Sequence, residues 1–316
     1  MTIDILLTVY NGAEFLAEQL RSLQAQTHGD WRLWVRDDGS TDGTPRVVRE
    51  AAAGDGRIRL LESGEARIGA LAGFAWLLAH AGDGEAEYTM FCDADDVWLP
   101  GKIEVTLAAM RRAEAECGPE LPVLVHTDLR VVDARLATID PSFWHFQGMR
   151  PELNSLNRIL NQNTVTGCTA MINRALRERG TPVPPEAVMH DWWLALVASC
   201  FGRVVPVPEA TILYRQHGRN DTGARRHARG AGAAVVRALA GNWVGPLRRE
   251  LKRAAAQAGA LSRRFGPEMT AEQRRLVRDY AEIPECGPLR RRWRLVRLGT
   301  LTHYGLARNI AYVLRA

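Results

Sequence analysis

Apolar positions over the first 130 residues follow two alternating rhythms. Short, nearly continuous apolar runs at Ile3–Val9, Trp31–Arg36, Arg57–Leu61, Tyr88–Cys92 and Leu121–Thr127 read as buried strands. Between them, Ala13–Gln26, Asp42–Ala53, Ala70–Ala81 and Pro100–Glu116 carry apolar residues at helical spacing, with Phe15, Leu16, Leu20 and Leu23 forming one stripe in the first. Ser40 and Thr41 are cap candidates for the second helix, and Pro100 suits the first position of the fourth. Strands separated by single helices predict a doubly wound α/β sheet with functional loops at the carboxyl ends of the strands.

The alternation loosens after Asp128. Ile139–Arg150, rich in aromatics and proline, reads as a surface loop or flap. A short helix is expected at Pro151–Leu160, another helix at Met189–Cys200, and short strands at Val204–Tyr214. From Thr222 the chain is Ala/Arg-rich and reads as helical, broken near Gly245–Pro246, Gly266–Pro267 and Gly287–Pro288. The expected organisation is an α/β domain over 1–220 and a helical, basic region over 221–316, with no internal repeat.

Composition sharpens this division. At 46% hydrophobic and 24% charged, the 316 residues are ordinary for a globular chain, which argues against wholesale disorder. The net charge of +5 hides an asymmetry. Met1 to Tyr214 hold 19 Lys and Arg against 29 Asp and Glu, and Arg215 to Ala316 hold 22 against 7, so the halves carry −10 and +15. Five scattered cysteines without CxxC spacing indicate neither a disulfide framework nor a structural zinc site. The first apolar segment has Asp4 inside it and no basic stretch before it, unlike a signal peptide, and no uncharged apolar run reaches the ~18 residues of a spanning helix. A cytoplasmic, reduced body is the expectation.

Four segments fall where such a sheet places chemistry. Arg36-Asp37-Asp38-Gly39-Ser40 ends the second strand, where a carboxylate accepts hydrogen bonds from a base or ribose; it is equally readable as an Asp–Gly turn with a serine cap. Asp93-Ala94-Asp95-Asp96 places three carboxylates in four positions, a mutual repulsion that a cation relieves. Hard oxygen ligands suit Mg²⁺ or Mn²⁺, and alternate residues of an extended segment point the same way, so Asp93 and Asp95 can face one ligand. Asp191, within His190-Asp191-Trp192-Trp193, has the aromatic surroundings of a general base and equally the position of a helix cap. In Tyr214-Arg215-Gln216-His217, the histidine suits a metal or phosphate contact, and equally a surface position.

Together these segments resemble the family 2 glycosyltransferases of GT-A fold, in particular their bacterial rhamnosyltransferase-like branch. The resemblance rests on Thr8-Val9-Tyr10-Asn11-Gly12, then RDDGSTDGT, DADDVWLPGKI, TGCTAMINR, HDWWLALVAS and ILYRQHGRN, in that order over about residues 1–220. Each motif is weak singly; six in order are specific. The resemblance implies a mixed, mostly parallel sheet flanked by helices. It implies that Thr8, Tyr10, Asp37 and Asp38 cradle the nucleotide, and that Asp93 and Asp95 hold Mg²⁺ or Mn²⁺ on the diphosphate with His217 approaching the same place. Asp191 is then the general base, and Gly167, Cys168 and Trp192 border the acceptor. An Asn–x–Gly pair common in the family reads Arg67-Ile68-Gly69 here, which suggests a diphosphate contact for Arg67. The implied reaction is inverting transfer of a sugar, with rhamnose favoured, from a nucleoside-diphosphate donor (dTDP-rhamnose or a UDP-sugar) to a glycan or polyprenyl-linked acceptor in cell-surface polysaccharide synthesis.

Competing readings fare less well. A sugar nucleotidyltransferase needs a basic, Gly-rich loop after the first strand, yet no Lys or Arg precedes Arg21. A glycoside hydrolase leaves the nucleotide-site pattern unexplained, and a non-catalytic, membrane-associated scaffold leaves the intact acidic motifs unexplained. The basic half lacks any recognisable nucleic-acid-binding signature, so no nucleic-acid partner is expected. Its last stretch, Leu289–Ala316, mixes Arg with Trp, Leu, Val and Tyr and holds no acid. Two readings stay open for it: peripheral contact with an anionic membrane surface, or a lid or homo-oligomerisation element packed on the acidic body.

Overall fold

The computed structural model of the chain describes residues 2–62, 67–82, 84–218 and 244–300, together with residue 313. The expected domain boundary near 220, the helical start at Thr222 and the end of the Leu289–Ala316 segment lie outside the described residues.

The first half alternates as its apolar pattern requires. Strands β1 (Ile3–Val9), β2 (Trp31–Asp37), β3 (Ile58–Leu61) and β4 (Tyr88–Cys92) are separated by helices α1 (Ala13–Gln24), α2 (Thr44–Gly54) and α3 (Gly69–His80). Short β5 (Val97–Trp98) follows, then α4 (Lys102–Cys117), capped at Gly101, so Pro100 lies just outside the helix it was expected to open. The second half adds β6 (Val123–Asp133), β7 (Thr138–Asp140), α5 (Phe143–Gln147), α6 (Leu156–Asn161), a 3₁₀ turn (Gly167–Thr169), β8 (Met171–Asn173), α7 (Arg174–Gly180), α8 (His190–Phe201) and β9 (Arg203–Gln216). Three C-terminal helices are described: α9 (Val244–Phe265), α10 (Ala271–Ala281) and α11 (Pro288–Arg297).

Among the described residues nine strands form one mixed sheet in the order β3-β2-β1-β4-β8-β6-β9-β5, with β7 paired to β6. Strands β3, β2, β1 and β4 run parallel; β8 is antiparallel to both β4 and β6, and β9 runs parallel to β6. Residues alternate across the sheet: Ile3, Ile5, Leu7 and Val9 enter the apolar layer with α1 and α4, and Leu6 enters the opposite layer with α3 and α8. Asp4 interrupts that second face for a structural reason. Fully buried, it accepts from the Trp34 indole at 2.8 Å and from Arg32 at 3.1 Å, with Arg177 at 3.4 Å.

Two expectations need correction. Ile139–Arg150 is packed structure, not a flap: β7 pairs with β6, and α5 buries Phe143, Trp144 and Phe146. Asp128 fixes this segment, accepting from the Ser142 hydroxyl and, at 3.1 Å, from the Trp144 amide. The short strands expected at Val204–Tyr214 are one strand of 14 residues. Its pairing with β6 slips between Thr127 and Asp128, opposite Pro208, which has no amide hydrogen to give a ladder.

The C-terminal helices complete the core. Leu251, Ala254, Ala258, Leu261 and Phe265 of α9, Val277 and Tyr280 of α10 and Leu295 of α11 join the same apolar cluster as Trp193 and Leu196 of α8. Gln273, whose main chain and side chain close a capping box with Thr270, also donates to the Cys200 carbonyl at 2.7 Å. Among the described residues, no helix is long and apolar enough to cross a membrane.

Candidate active site

The loops after β1 and β2 interlock at the carboxyl edge of the sheet. Asn11, held at a φ of 49°, donates its amide to Ser40 Oγ at 2.8 Å and accepts the Thr41 amide at 2.8 Å. Gly12 donates to Thr44 Oγ1 at 2.9 Å, and a Cβ on Gly12 would stand 2.8 Å from Val9 and 3.4 Å from Ala94, so this loop lies directly on the acidic segment. Within the cradle Thr8 is half-buried against Gly73, and Tyr10 is exposed beneath the Arg67 guanidinium at 3.7 Å.

The two aspartates closing β2 are not equivalent. Asp38 is buried, ion-paired with Arg36 at 2.5 Å, and accepts the amides of Ile68 and Gly69 at 2.9 and 2.8 Å. Burial works against its charge, but the arginine and the two amides outweigh it and lower its pKa. Asp38 therefore pins the start of α3. Asp37 accepts the Ser40 amide through Oδ2 at 3.1 Å and keeps Oδ1 buried without a hydrogen-bond partner, the stronger position for a ligand contact.

Asp93, Asp95 and Asp96 follow β4 on a turn. Asp95 Oδ2 meets His217 Nε2 at 2.8 Å, joining two motifs 122 residues apart, and His217 packs on the Phe15 ring at 4.9 Å. Asp96 is fully buried and accepts the Arg215 amide at 3.1 Å; burial and the neighbouring Asp95 and Asp93 push its pKa well above the carboxylate range. The Arg215 guanidinium clasps the loop, donating to the carbonyls of Asp95 at 2.8 Å and Ala134 at 2.7 Å and pairing with Glu18. Beneath lies Lys102, fully buried over the Trp98 ring at 4.5 Å, its pKa brought down to about 8 by burial. Ligand atoms of Asp93, Asp96 and Cys168 lie within 4.8 Å of one another. Burial raises the Cys168 thiol well above its ordinary pKa. Asp95 is turned to His217 instead, so Asp93 and Asp96 are the carboxylates this group brings together, oxygen donors of the kind that suit a hard divalent cation.

Asp191 opens α8 and is 8% exposed. Burial raises its pKa to about 6, against hydrogen bonds from the amides of Trp192 and Gly167 and the Asn163 side chain. His190 beside it is sandwiched between Phe74 and Phe91, with ring centroids at 4.1 and 4.7 Å; burial lowers its pKa to about 3, so it is neutral. The 3₁₀ turn links the two halves of the site. A Cβ on Gly167 would lie 3.1 Å from His190 and 3.4 Å from Asp191 Oδ2, while Cys168 reaches the acidic cluster. Trp192 points into the core instead, its indole donating to the Ile159 carbonyl at 2.6 Å. Asn163, Lys102 and His190 were not singled out from sequence. His190 and Lys102 lie inside quoted motifs, though the burial that marks Lys102 is seen only in the fold, whereas Asn163 lies just ahead of the TGCTAMINR segment.

Residues 4–180 match the family described as Glycosyl transferase family 2, more than half of the chain. The chain belongs to that family. Among its relatives in this family, an uncharacterized glycosyltransferase of Nostoc sp. is 27% identical over 231 residues, 70% of this chain and 66% of its own length. A dTDP-rhamnosyl transferase of Shigella flexneri is 25% identical over 228 residues, 69% of this chain and 74% of its own. The chain spans 66% and 57% of the length of the first relatives it matches, the second an uncharacterized protein of Mycobacterium bovis. Solved structures with the same fold include Staphylococcus aureus TarS 1–349, at 18% identity and a TM-score of 0.56, covering 100% of this chain and 89% of that one. A mannosyltransferase of Pyrobaculum calidifontis, in complex with GDP-Man and Mn²⁺, has a TM-score of 0.51 at 19% identity, covering 94% and 72%. At these identities the likeness establishes the GT-A fold of the family 2 chain.

Proposed function

We propose that the protein transfers a sugar from a nucleoside-diphosphate donor to an acceptor hydroxyl, with inversion and with the help of a divalent cation. The observation that carries this reading is the Gly167–Thr169 turn, which brings the buried carboxyl of Asp191 and the acidic cluster to two consecutive residues. In this reading the loops of Thr8, Tyr10 and Asp37 receive the nucleotide, and Arg67, stacked on Tyr10, lies toward the diphosphate. Asp93, Asp95 and His217 hold Mg²⁺ or Mn²⁺, which when bound neutralises charge on the departing diphosphate. Asp191, at a pKa of about 6, is ionised near neutral pH and still basic enough to take the acceptor proton as attack proceeds. Gly167 has no side chain to obstruct Oδ2 of that carboxyl. One base acting without a second carboxylate nucleophile corresponds to in-line displacement and inversion.

Rhamnose is the favoured sugar, on the strength of the Shigella relative. A glycan or polyprenyl-linked acceptor accords with a UDP-Glc:alpha-D-GlcNAc-diphosphoundecaprenol glucosyltransferase of Escherichia coli, 32% identical over 34% of this chain and 40% of its own. A thermal-shift screen of nucleotide sugars with and without Mn²⁺ tests donor and metal together. Selective, Mn²⁺-dependent stabilisation by dTDP-rhamnose is expected; stabilisation by a UDP-sugar alone overturns the sugar, and no stabilisation by any donor overturns the function.

A further inference from the structure

The basic C-terminal helices carry a second constellation, remote in sequence from the transferase motifs. Between α10 and α11 lies a cleft of about 520 Å³, walled by Arg275, Arg278, Arg290, Arg294 and Arg297. Asp279 is the acid among its lining residues, and it already faces Arg275 at 3.8 Å, as Glu282 faces Arg294 at 3.1 Å. Among the described residues Arg278, Arg290 and Arg297 form no ion pair. The cleft thus gathers five arginines against the two carboxylates of Asp279 and Glu282, an excess of positive charge.

The outer face of α11 is apolar where solvent meets it. Leu289, Trp293 and Val296 are 80%, 55% and 54% exposed and fall at i, i+4 and i+7, one stripe of the helix. Leu295 is fully buried in the shared core, which fixes which face is presented. Trp293 belongs to both features: it lines the cleft, and Arg297 lies over its ring at 4.7 Å.

We propose that α11 and the α10–α11 cleft dock this protein on an anionic phospholipid surface, the arginines receiving lipid phosphates while Leu289, Trp293 and Val296 enter the headgroup layer. An amphipathic helix with arginines beside a Trp/Leu edge has the chemistry of an interfacial segment. A second copy of the chain is a poor occupant, since a two-fold interface would set the arginines of α11 against themselves. A nucleic acid satisfies the arginines but leaves the aliphatic pair Leu289 and Val296 in water.

The test is co-sedimentation of the full-length protein with vesicles of phosphatidylcholine alone, or of phosphatidylcholine with about one third phosphatidylglycerol, at low salt with chelator and without nucleotide sugar. Binding to the mixed vesicles only, weakened by salt, is expected. Arg290→Gln with Arg297→Gln lowers partitioning by about fivefold per arginine, and Trp293→Glu abolishes it, each variant retaining the wild-type melting temperature. Absence of wild-type binding, undiminished binding by these variants, or displacement by inorganic phosphate or RNA at an ionic strength where chloride displaces nothing overturns the proposal. If a variant fails to fold, salt-independent binding of the wild type does the same. Because no donor or metal is present, failure here leaves the transferase reading untouched.

Discussion

Asp191 sits where function and stability pull in opposite directions. Its ordinary pKa of 3.8 rises to about 6 on folding because burial disfavours the charge. The native state therefore holds the proton more tightly than the unfolded chain. This contribution to stability is full below about pH 4 and is lost as pH rises through about 6. Asp191→Asn removes the buried charge while keeping an acceptor for the Trp192 amide. It should abolish transfer while leaving nucleotide-sugar binding intact by calorimetry, and should raise unfolding free energy at pH 7.5 by about 1–3 kcal/mol in urea titrations. Near-normal transfer by this variant would remove Asp191 from the role of base. In the wild type, kcat/KM should climb with a midpoint near pH 6 and level off above it; a profile flat from pH 5 to 7 would contradict the same assignment.

At the scale of elements, close approaches hold the loops in place. Gly73 on α3 leaves no room beside β1: a Cβ there would stand 2.5 Å from Thr8 Oγ1. Gly73→Ala should displace the nucleotide cradle and raise the donor KM with less effect on kcat. Arg215 holds the acidic loop through the carbonyls of Asp95 and Ala134, so Arg215→Gln should weaken Mn²⁺ binding by roughly tenfold in metal titrations while the fold persists. The strands and helices of the first half were readable because each buries a complete apolar run or stripe. Two later elements were not. Strand β8 has three residues, too few for any periodicity, and α5 hid in a segment whose proline and aromatics suggest a loop. In the candidate site, the acidic run and Asp191 could be named as candidates from sequence because the proposed chemistry needs particular residue types in sequence. The difference between Asp37 and Asp38 was not, because it lies in which amides fold back onto which carboxylate.

Over the whole molecule, the helices α9–α11 and the transferase body share one apolar layer. Sequence showed Ala/Arg-rich helices but not the surface they cover, since composition specifies a propensity and not a partner. The shared layer predicts cooperative unfolding. Leu261→Ala, at a fully buried position of α9, should cost about 2–5 kcal/mol and shift a single urea transition monitored by both tryptophan fluorescence and donor binding. Two separate transitions would show the C-terminal helices to be an independent unit.

The order of the chain along the site has a further consequence. The proposed nucleotide cradle and Asp93–Asp96 belong to the first hundred residues, whereas the Gly167 turn, Asp191 and His217 are supplied within about fifty consecutive residues ending just after β9. Antiparallel β8 and parallel β9 seat this later stretch against β4 and β6 by backbone pairing, which is largely indifferent to side-chain identity. Such an arrangement lends itself to recombination. On the proposed assignment of the site, a chimera joining residues 1–120 of this chain to the corresponding later half of a relative should keep the donor of the first parent and take the acceptor of the second, as a transfer assay with both donors and both acceptors would read.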